Sequence, residues 1–269
     1  MQRRTGFAAV NDGKLFYEVA GVGPEVVLIH SGITDSRSWD PQFGDFAARF
    51  RVCRYDLRGY GQSDVAHGSF SRVDDLRAVM DEVGFERAAL VGVSMGGGTA
   101  LDFALAYPDR VTALVLVGSA ISGRPPSPEL ASKWEELDAR YEADGIEALV
   151  EGEVELWLYG KGRSAGDVDP QVREAVRAMD RHAIARDPGD AQPIKPERPA
   201  FGRLQEISAP TLVIVGDRDV DDTQEGARLL AREIPGAELA VMADVAHVPN
   251  MEKPEEFNRL VLDFLTLLA

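Results

Sequence analysis

A serine between two glycines is the first feature of this sequence that could do chemistry. Ser94 is the central residue of the run Gly92-Val93-Ser94-Met95-Gly96. A serine hydroxyl is a poor nucleophile at neutral pH, so an acyl-transfer enzyme needs a base within hydrogen-bond reach and an acid that orients the base. Because glycine is abundant here, this short pattern can arise by coincidence, and its surroundings must decide whether Ser94 is a nucleophile.

The candidate bases are the four histidines. His30 ends an apolar run, His67 lies in a polar loop and His182 belongs to a helical segment, whereas His247 lies in a loop after a late strand-like run. A loop histidine can also be an ordinary solvated residue. Candidate acids occur in VGDRDVDDTQEG, which contains several aspartates after another strand-like run.

Composition and charge exclude several classes of protein. The 269 residues include 45 acidic and 29 basic side chains, for a formal net charge of −16, which disfavours nucleic acid and anionic membrane surfaces as partners. The single cysteine excludes a disulfide framework. We find neither a signal-like apolar segment nor a run long enough to span a membrane, so we expect a cytoplasmic protein.

Short apolar runs recur along the chain, with helix-length segments between several of them. Near-continuous runs of Val, Ile and Leu are typical of parallel strands that are buried on both faces, which predicts an α/β fold with a mostly parallel sheet. The runs are KLFYEVA, EVVLIH, RVCRYD, AALVGV, VTALVLVG, TLVIVGD and ELAVMA. The turn signal Asn11-Asp12-Gly13 predicts an antiparallel hairpin at the edge of this sheet.

The segment between Ser119 and Pro210 has a different pattern. It consists of amphipathic helix signals with proline and glycine breaks, and no strand-like run interrupts them. We therefore predict two units: a core formed by 1–120 and 209–269, and a helical cap inserted at 121–208.

The strand that ends at Ser94 passes directly into a helix. Such an abrupt turn forces the serine into a strained backbone conformation, and its packed neighbours must be nearly free of side chains, which Gly92 and Gly96 satisfy. The turn lifts the serine hydroxyl above the sheet and directs the first N–H groups of the helix toward a developing oxyanion.

With these features the chain resembles the α/β-hydrolase family over nearly all of its length outside the insertion. The matching segments are strand-GVSMG-helix, HSGITDSRSW, YDLRGYGQSD, LVIVGDRD and VAHVPNMEKPEEF, in that order. The resemblance implies an α/β-hydrolase fold: a twisted, mostly parallel sheet with helices on both faces and a helical cap. The order of the segments is as specific as any single motif.

The resemblance also implies catalytic roles. Its order of nucleophile, acid and base selects Ser94 as nucleophile and His247 as general base. A strand-end glycine followed three positions later by aspartate selects Asp219 as the acid, with Asp217 as the alternative. The loop departs from the family pattern, since DDTQEG stands where a proline is often found.

An oxyanion hole is implied as well. One donor is expected to be the backbone N–H of Met95, and the other that of Gly32 in the segment HSG, where the family often has His-Gly. His30 is expected to be structural. Trp39 stands at the usual distance from this histidine and is expected either to edge the substrate pocket or to pack in the core.

Other conspicuous residues are interpreted more simply. Asp56, Arg58 and Ser63 match a structural loop of the family. No spacing typical of a zinc, iron or calcium site occurs, and no phosphate loop or dinucleotide fingerprint is present, so we expect neither a metal nor a cofactor. In the cap, Trp134, Trp157, Leu158 and Tyr159 are expected to form apolar pocket walls or helix packing.

The resemblance implies a metal-free hydrolase that cleaves a small or medium ester or lactone through an acyl-serine intermediate. AHVPNMEKPEEFN is similar to 3-oxoadipate enol-lactonases, and a carboxylated substrate would require a cationic pocket residue, which the sequence does not single out. Alternatives with the same triad are a C–C bond hydrolase, a perhydrolase or an acyltransferase. A non-catalytic ligand-binding receptor on the same fold is the alternative from another class.

Overall fold

A central sheet of eight strands organises the chain in the computed structural model, which describes residues 3–268. The spatial order of the strands is β1-β2-β4-β3-β6-β7-β9-β10. Their bounds are β1 Arg3–Val10, β2 Gly13–Ala20, β3 Glu25–Ile29, β4 Arg51–Tyr55, β6 Ala88–Val93, β7 Val111–Val117, β9 Thr211–Gly216 and β10 Glu238–Met242. Each apolar run identified in the sequence forms one of these strands.

The strand directions agree with the prediction from the sequence. β1 and β2 form an antiparallel hairpin in which Val10 pairs with Gly13, and Asp12 in the turn has a φ of 56°. β2 also pairs antiparallel with β4. From β4 to β10 all neighbouring strands are parallel. The expected edge hairpin and parallel sheet are therefore confirmed.

Helices cover both faces of the sheet. The helices are α1 Asp40–Ala47, α2 Arg72–Val83, α3 Met95–Ala106, α4 Pro128–Asp144, α5 Ile146–Glu153, α6 Pro170–Arg186, α7 Asp221–Glu233, α8 Pro249–Glu252 and α9 Pro254–Leu267. Alternate strand residues face opposite sides, so α2, α3 and α7 pack on one apolar layer and α1 and α9 on the other. Parallel strands buried in this way require continuous apolar sequence.

The insertion between β7 and β9 contains α4, α5 and α6, and a π-helix Val154–Tyr159 directly continues α5. An apolar cluster joins it to the core, with Val154, Leu158 and Met179 from the insertion packed against Ile33 and Val248 from core loops. The helices thus lie over the carboxyl edge of the sheet, where loops after parallel strands converge.

One feature of the insertion differs from the prediction. Ala191–Pro193 forms a short strand, β8, which pairs parallel with β5 at Gly68–Phe70 in a separate two-stranded sheet. The expectation of a strand-free insertion was therefore wrong at this point. The three residues Ala-Gln-Pro carry no apolar alternation, and they become a strand only because the distant loop at 68–70 offers a pairing edge.

Candidate active site

Ser94 lies at the sharp turn between β6 and α3. Its φ of 54° and ψ of −114° place it in a sparsely populated region for a residue with a side chain. Neighbouring backbone fixes this conformation: the Ser94 N–H donates to the carbonyl of Val117 at 2.8 Å, and its own carbonyl accepts from Ala120 N at 3.1 Å. The hydroxyl is partly exposed at the end of the strand.

The glycines around Ser94 are required by close backbone contacts. A Cβ on Gly96 would lie 2.4 Å from the carbonyl oxygen of Ile29, and one on Gly92 would lie 2.5 Å from the backbone of Gly96. Because these neighbours are backbone atoms of packed elements, no side-chain movement can make room. The strained turn is thus held between β3 and α3.

His247 and Asp219 form a buried pair. The Nδ1–H of His247 donates to Oδ2 of Asp219 at 2.7 Å, and the side chains are 4% and 1% exposed. The other carboxylate oxygen of Asp219 accepts the N–H of Val220 at 2.8 Å. This arrangement holds Nδ1 protonated and leaves Nε2 as the acceptor, which is the tautomer that a general base requires.

The alternative acid points elsewhere. Oδ1 of Asp217 accepts the N–H of Asp244 at 2.7 Å, and its side chain is 37% exposed. Of the two aspartates, the structure therefore brings Asp219 to the imidazole and leaves Asp217 to shape the turn before it.

Ser94 and the Asp219–His247 pair meet at the loop that follows β7. Val117 accepts the N–H of Ser94, and a Cβ on the next residue, Gly118, would lie 3.2 Å from both Asp219 Oδ2 and His247 Nδ1. Within residues 3–268, neither Ser94 Oγ nor His247 Nε2 forms a hydrogen bond with another residue. The residues expected as nucleophile, base and acid thus lie around one loop, and Ser94 Oγ and His247 Nε2 bind no other residue in this part of the chain.

Gly32 faces the start of α3. A Cβ on Gly32 would lie 3.9 Å from both Met95 Cε and the Tyr60 hydroxyl. The N–H groups of Gly32 and Met95 donate to no acceptor in the part of the chain that the structure describes. Gly32 is therefore close to the Met95 side chain, and both N–H groups expected as oxyanion donors lack an acceptor among residues 3–268.

Tyr60 lies beside Gly32, and sequence reasoning did not single it out because its segment was interpreted as scaffold. Burial raises the pKa of its hydroxyl to about 12, so it is a neutral donor. Its ring meets His30 edge to face, with centroids 5.1 Å apart. His30 Nε2 accepts the N–H of Leu57 at 2.9 Å and its Nδ1 donates to Ser31 O at 2.7 Å, in keeping with the structural role expected for His30.

The π-helix of the insertion reaches the imidazole. Trp157 lies against His247, with ring centroids 4.5 Å apart, and its carbonyl oxygen accepts the His247 N–H at 3.2 Å. Tyr159 is partly buried against the cluster that joins insertion and core. π-helical turns occur frequently at functional sites, because the extra residue per turn redirects a side chain.

The other two tryptophans lie away from the site. Trp39 is completely buried and packs on Phe257 in the layer beneath α1 and α9, so its predicted place at the pocket edge was wrong and its packing alternative fits. The side chain of Trp134 is 42% exposed on α4 and does not line the cavity that contains Ser94.

Arg163 ties the insertion to the loop that carries His247. Its guanidinium donates to the carbonyl oxygens of Leu158 and Tyr159 at 2.6 and 2.8 Å and to the Glu252 carboxylate at 2.6 Å. The other oxygen of Glu252 accepts the N–H of Ala246, the residue before His247, at 2.8 Å. The ion pair is almost fully buried.

A pair of carboxyl groups lies in the insertion near Tyr60. Glu153 ends α5 and the buried Asp180 lies on α6, and each acts on the pKa of the other. Burial first, and then the charge of Glu153, raise the pKa of Asp180 to about 9. Burial also raises the pKa of Glu153. The pair therefore holds a shared proton at neutral pH.

A cavity of about 880 Å³ opens beside Ser94 and Met95. Its walls are the start of α2, one face of α3, the loop at 120–122 and the segment 193–198. Leu105, Ile121 and Ile194 supply apolar surface. Among residues 3–268, no cluster of three or more metal-ligating side chains occurs, and no helix has the length and apolar character needed to cross a bilayer.

The chain is similar to a known family of proteins over most of its length. Residues 26–260 match the model described as the alpha/beta hydrolase family. The chain is 31% identical to 2-hydroxy-6-oxo-6-phenylhexa-2,4-dienoate hydrolase of Comamonas testosteroni, over 95% of this chain and 92% of that protein.

Two solved structures are similar to this chain over nearly its whole length. An enol-lactonase from Burkholderia xenovorans LB400 has a TM-score of 0.79 and 30% identity, covering 97% of this chain and 100% of that one. A thermophilic esterase from Thermogutta terrifontis, solved with malate bound, has a TM-score of 0.81 and 30% identity, covering 100% and 99%. With its eight-stranded sheet, its strained serine turn and these relatives, the chain belongs to the α/β-hydrolase family.

Proposed function

We propose that this hydrolase cleaves a carboxylic ester or lactone of small to medium size through an acyl-enzyme on Ser94. The observation that carries the proposal is the buried 2.7 Å hydrogen bond between His247 and Asp219, which lies against Gly118, the residue after the Val117 carbonyl that binds the Ser94 turn. An oriented imidazole beside a strained, unengaged serine is the arrangement that nucleophilic acyl transfer needs.

In the first half of the reaction, Ser94 Oγ attacks the substrate carbonyl carbon while His247 Nε2 takes the hydroxyl proton. Asp219 stabilises the imidazolium that forms. The N–H groups of Gly32 and Met95 donate to the oxyanion of the tetrahedral intermediate, and the positive end of α3 adds to this stabilisation. The intermediate collapses, and the leaving alkoxide takes the proton from His247.

In the second half, water attacks the acyl-Ser94 ester. His247 accepts a proton from the water, and the oxyanion forms again at Gly32 and Met95. Collapse of this intermediate returns the proton to Ser94 Oγ and releases the carboxylic acid. A lactone follows the same steps, except that its alcohol remains attached to the acyl group until the product leaves.

The cavity supports a substrate of limited size. A volume of about 880 Å³ with apolar walls suits a single small or medium acyl compound. The helices of the insertion lie over this edge of the sheet, and in the proposed function the cap at 121–208 acts as a lid that selects the substrate.

Hydrolysis of a C–C bond in a vinylogous diketone is the second candidate. Curated relatives that are 31–34% identical over more than nine-tenths of this chain are named as hydrolases of 2-hydroxy-6-oxo dienoates. The bond cleaved there is the one beside a carbonyl carbon, so the same nucleophile and oxyanion donors can serve both reactions.

A substrate panel and a covalent probe test the proposal. Short p-nitrophenyl esters and enol-lactones should be turned over, and a fluorophosphonate should add once per chain, on Ser94 by mass spectrometry. The Ser94→Ala variant should fold, give no adduct and lose turnover.

Two other results are informative. Faster cleavage of a 2-hydroxy-6-oxo dienoate than of any ester or lactone would favour the second candidate. Ligand binding without turnover across the panel would contradict both and favour a receptor.

A further inference from the structure

Arg72 lies in the wall of the cavity that contains Ser94. It is the first residue of α2, its side chain is partly buried, and its guanidinium lies 5.6 Å from the ring centre of Phe70. Its charge also acts on Tyr60, whose hydroxyl is beside Gly32. The guanidinium therefore belongs to the same cavity as Ser94.

Arg72 has no carboxylate partner among residues 3–268, unlike the arginines near it. Arg58 binds both oxygens of Asp75, at 2.6 and 3.0 Å. On the next turn of α2, Arg77 pairs with Asp74 at 3.3 Å. The guanidinium of Arg72 takes part in neither an ion pair nor a hydrogen bond in this part of the chain.

The other cations of the cavity are already neutralised or exposed. Arg198 and Arg203 both pair with Glu206. Lys195 is exposed. Arg72 is thus the cation of this wall that is both partly buried and without an acid.

Three acids in the described part of the chain line this cavity: Asp74 pairs with Arg77, Glu197 is exposed, and Asp102 binds Ser122. Oδ1 of Asp102 accepts the hydroxyl of Ser122 at 2.6 Å, and Arg203 acts on this carboxyl more strongly than Arg72 does. Burial raises the pKa of Asp102. Within residues 3–268, none of these acids forms an ion pair or a hydrogen bond with Arg72.

This position is costly for an arginine. A cation in the first turn of a helix is repelled by the positive end of the helix dipole. Burial also lowers the pKa of Arg72, because its charge is partly withdrawn from water. An arginine that bears both costs with an aromatic ring against it but no acid bound to it is a departure from local rules of the kind found at functional sites.

We propose that Arg72 binds a carboxylate of the substrate, so that the preferred ester or lactone of this enzyme carries a free carboxylate close to the scissile carbonyl. This inference rests on the proposed function. A carboxylate can accept two parallel hydrogen bonds from the guanidinium, and it would meet the positive end of α2 at the same place. The bound carboxylate would offset both the repulsion by the helix dipole and the partial burial of the Arg72 charge.

Matched esters test the inference. Mono-p-nitrophenyl glutarate and p-nitrophenyl valerate have acyl chains of equal length, and a carboxylate replaces a methyl group in the first. In Arg72→Gln, the ratio of kcat/KM for the charged ester to that for the neutral ester should fall roughly ten- to hundredfold, mostly through KM. Turnover of the neutral ester should change much less than that of the charged ester, and Arg72→Lys should recover part of the ratio.

Arg232→Gln is the control, since it removes an equal charge at an exposed position whose ion pair with Glu233 lies outside the cavity. Its ratio should equal that of the wild type. An unchanged ratio in Arg72→Gln would overturn the inference and leave the serine-hydrolase proposal intact.

A binding measurement keeps the inference testable even if no ester is cleaved. Glutaric acid monoanilide, titrated calorimetrically into Ser94→Ala, should bind roughly tenfold or more tightly than into Ser94→Ala/Arg72→Gln. Equal binding by the two variants, or no binding to either, would count against a carboxylate site at Arg72.

Discussion

The indole of Trp157 covers the imidazole of His247, with the two rings 4.5 Å apart and inclined by 35°. The expected base is therefore held from the core by Asp219 and from the insertion by Trp157. An aromatic face beside an imidazole stabilises its protonated form, which arises transiently in each half of the proposed reaction.

Trp157→Ala should lower kcat by about tenfold, since this face contributes about 1–2 kcal/mol to a desolvated cation. Trp157→Phe should retain most of the rate. Trp134→Ala, which removes an exposed indole from the same insertion, serves as the control and should match the wild type. Steady-state kinetics with p-nitrophenyl acetate give the comparison, and equal rates for the two alanine variants would contradict it.

Asp219→Asn should reduce kcat by about four orders of magnitude, because the amide no longer favours the imidazolium or the required tautomer. Asp217→Asn should change kcat less than about threefold, since Asp217 binds a backbone N–H at the surface. The same ester assay measures both, with circular dichroism to check folding. A larger loss in Asp217→Asn would reverse the assignment of the acid.

Gly96→Ala should destabilise the protein by more than about 2 kcal/mol, because the added methyl group would meet the Ile29 carbonyl oxygen at 2.4 Å. Gly44→Ala is the control, because Gly44 lies in α1 with open space around it. Its replacement should raise the free energy of unfolding by about 0.5–1 kcal/mol. Urea unfolding gives both free energies. A stable and active Gly96→Ala variant would mean that the serine turn is looser than described.

Asp180 predicts a pH-dependent stability. Its pKa rises from 3.8 to about 9 on folding. The stability that the protonated carboxyl contributes is therefore fully present below pH 3.8 and is lost as the pH rises toward 9. The side chain of Asp180→Asn cannot ionise. The free energy of unfolding of this variant, relative to that of the wild type, should therefore rise by at least about 2 kcal/mol between about pH 5 and pH 9.

Urea unfolding at several pH values measures this difference. Glu174→Gln, at an exposed position of the same helix, should follow the wild-type curve. Parallel curves for Asp180→Asn and the wild type would show that the carboxyl pair carries no shared proton.

The sheet and the serine turn could be predicted because local sequence determines them. Buried parallel strands require continuous apolar runs, and the turn at Ser94 requires Gly92 and Gly96 whatever the rest of the chain does. The positions of His247 and Asp219 followed from the order of motifs along the chain.

The cavity walls could not be predicted in the same way. Tyr60 and Arg72 belong to a loop and a helix end, and their relation to Ser94 depends on how α2 packs beside α3, which no local pattern encodes. The sequence around Trp39 is compatible with a place at the pocket edge and with a place in the core. Its contact with Phe257, which is distant in the sequence, puts it in the core.

The guanidinium of Arg163 has a consequence for chimeras of this enzyme. Arg163 binds the last residues of the π-helix and, through Glu252, the loop that carries His247. A foreign cap without this arginine would therefore disturb catalysis even if its pocket were well shaped. The opposite junction is tied by the three-residue ribbon of Ala191–Pro193. Because residues 193–198, which continue this strand, line the cavity, exchanging them should alter its shape without touching the contacts of Arg163.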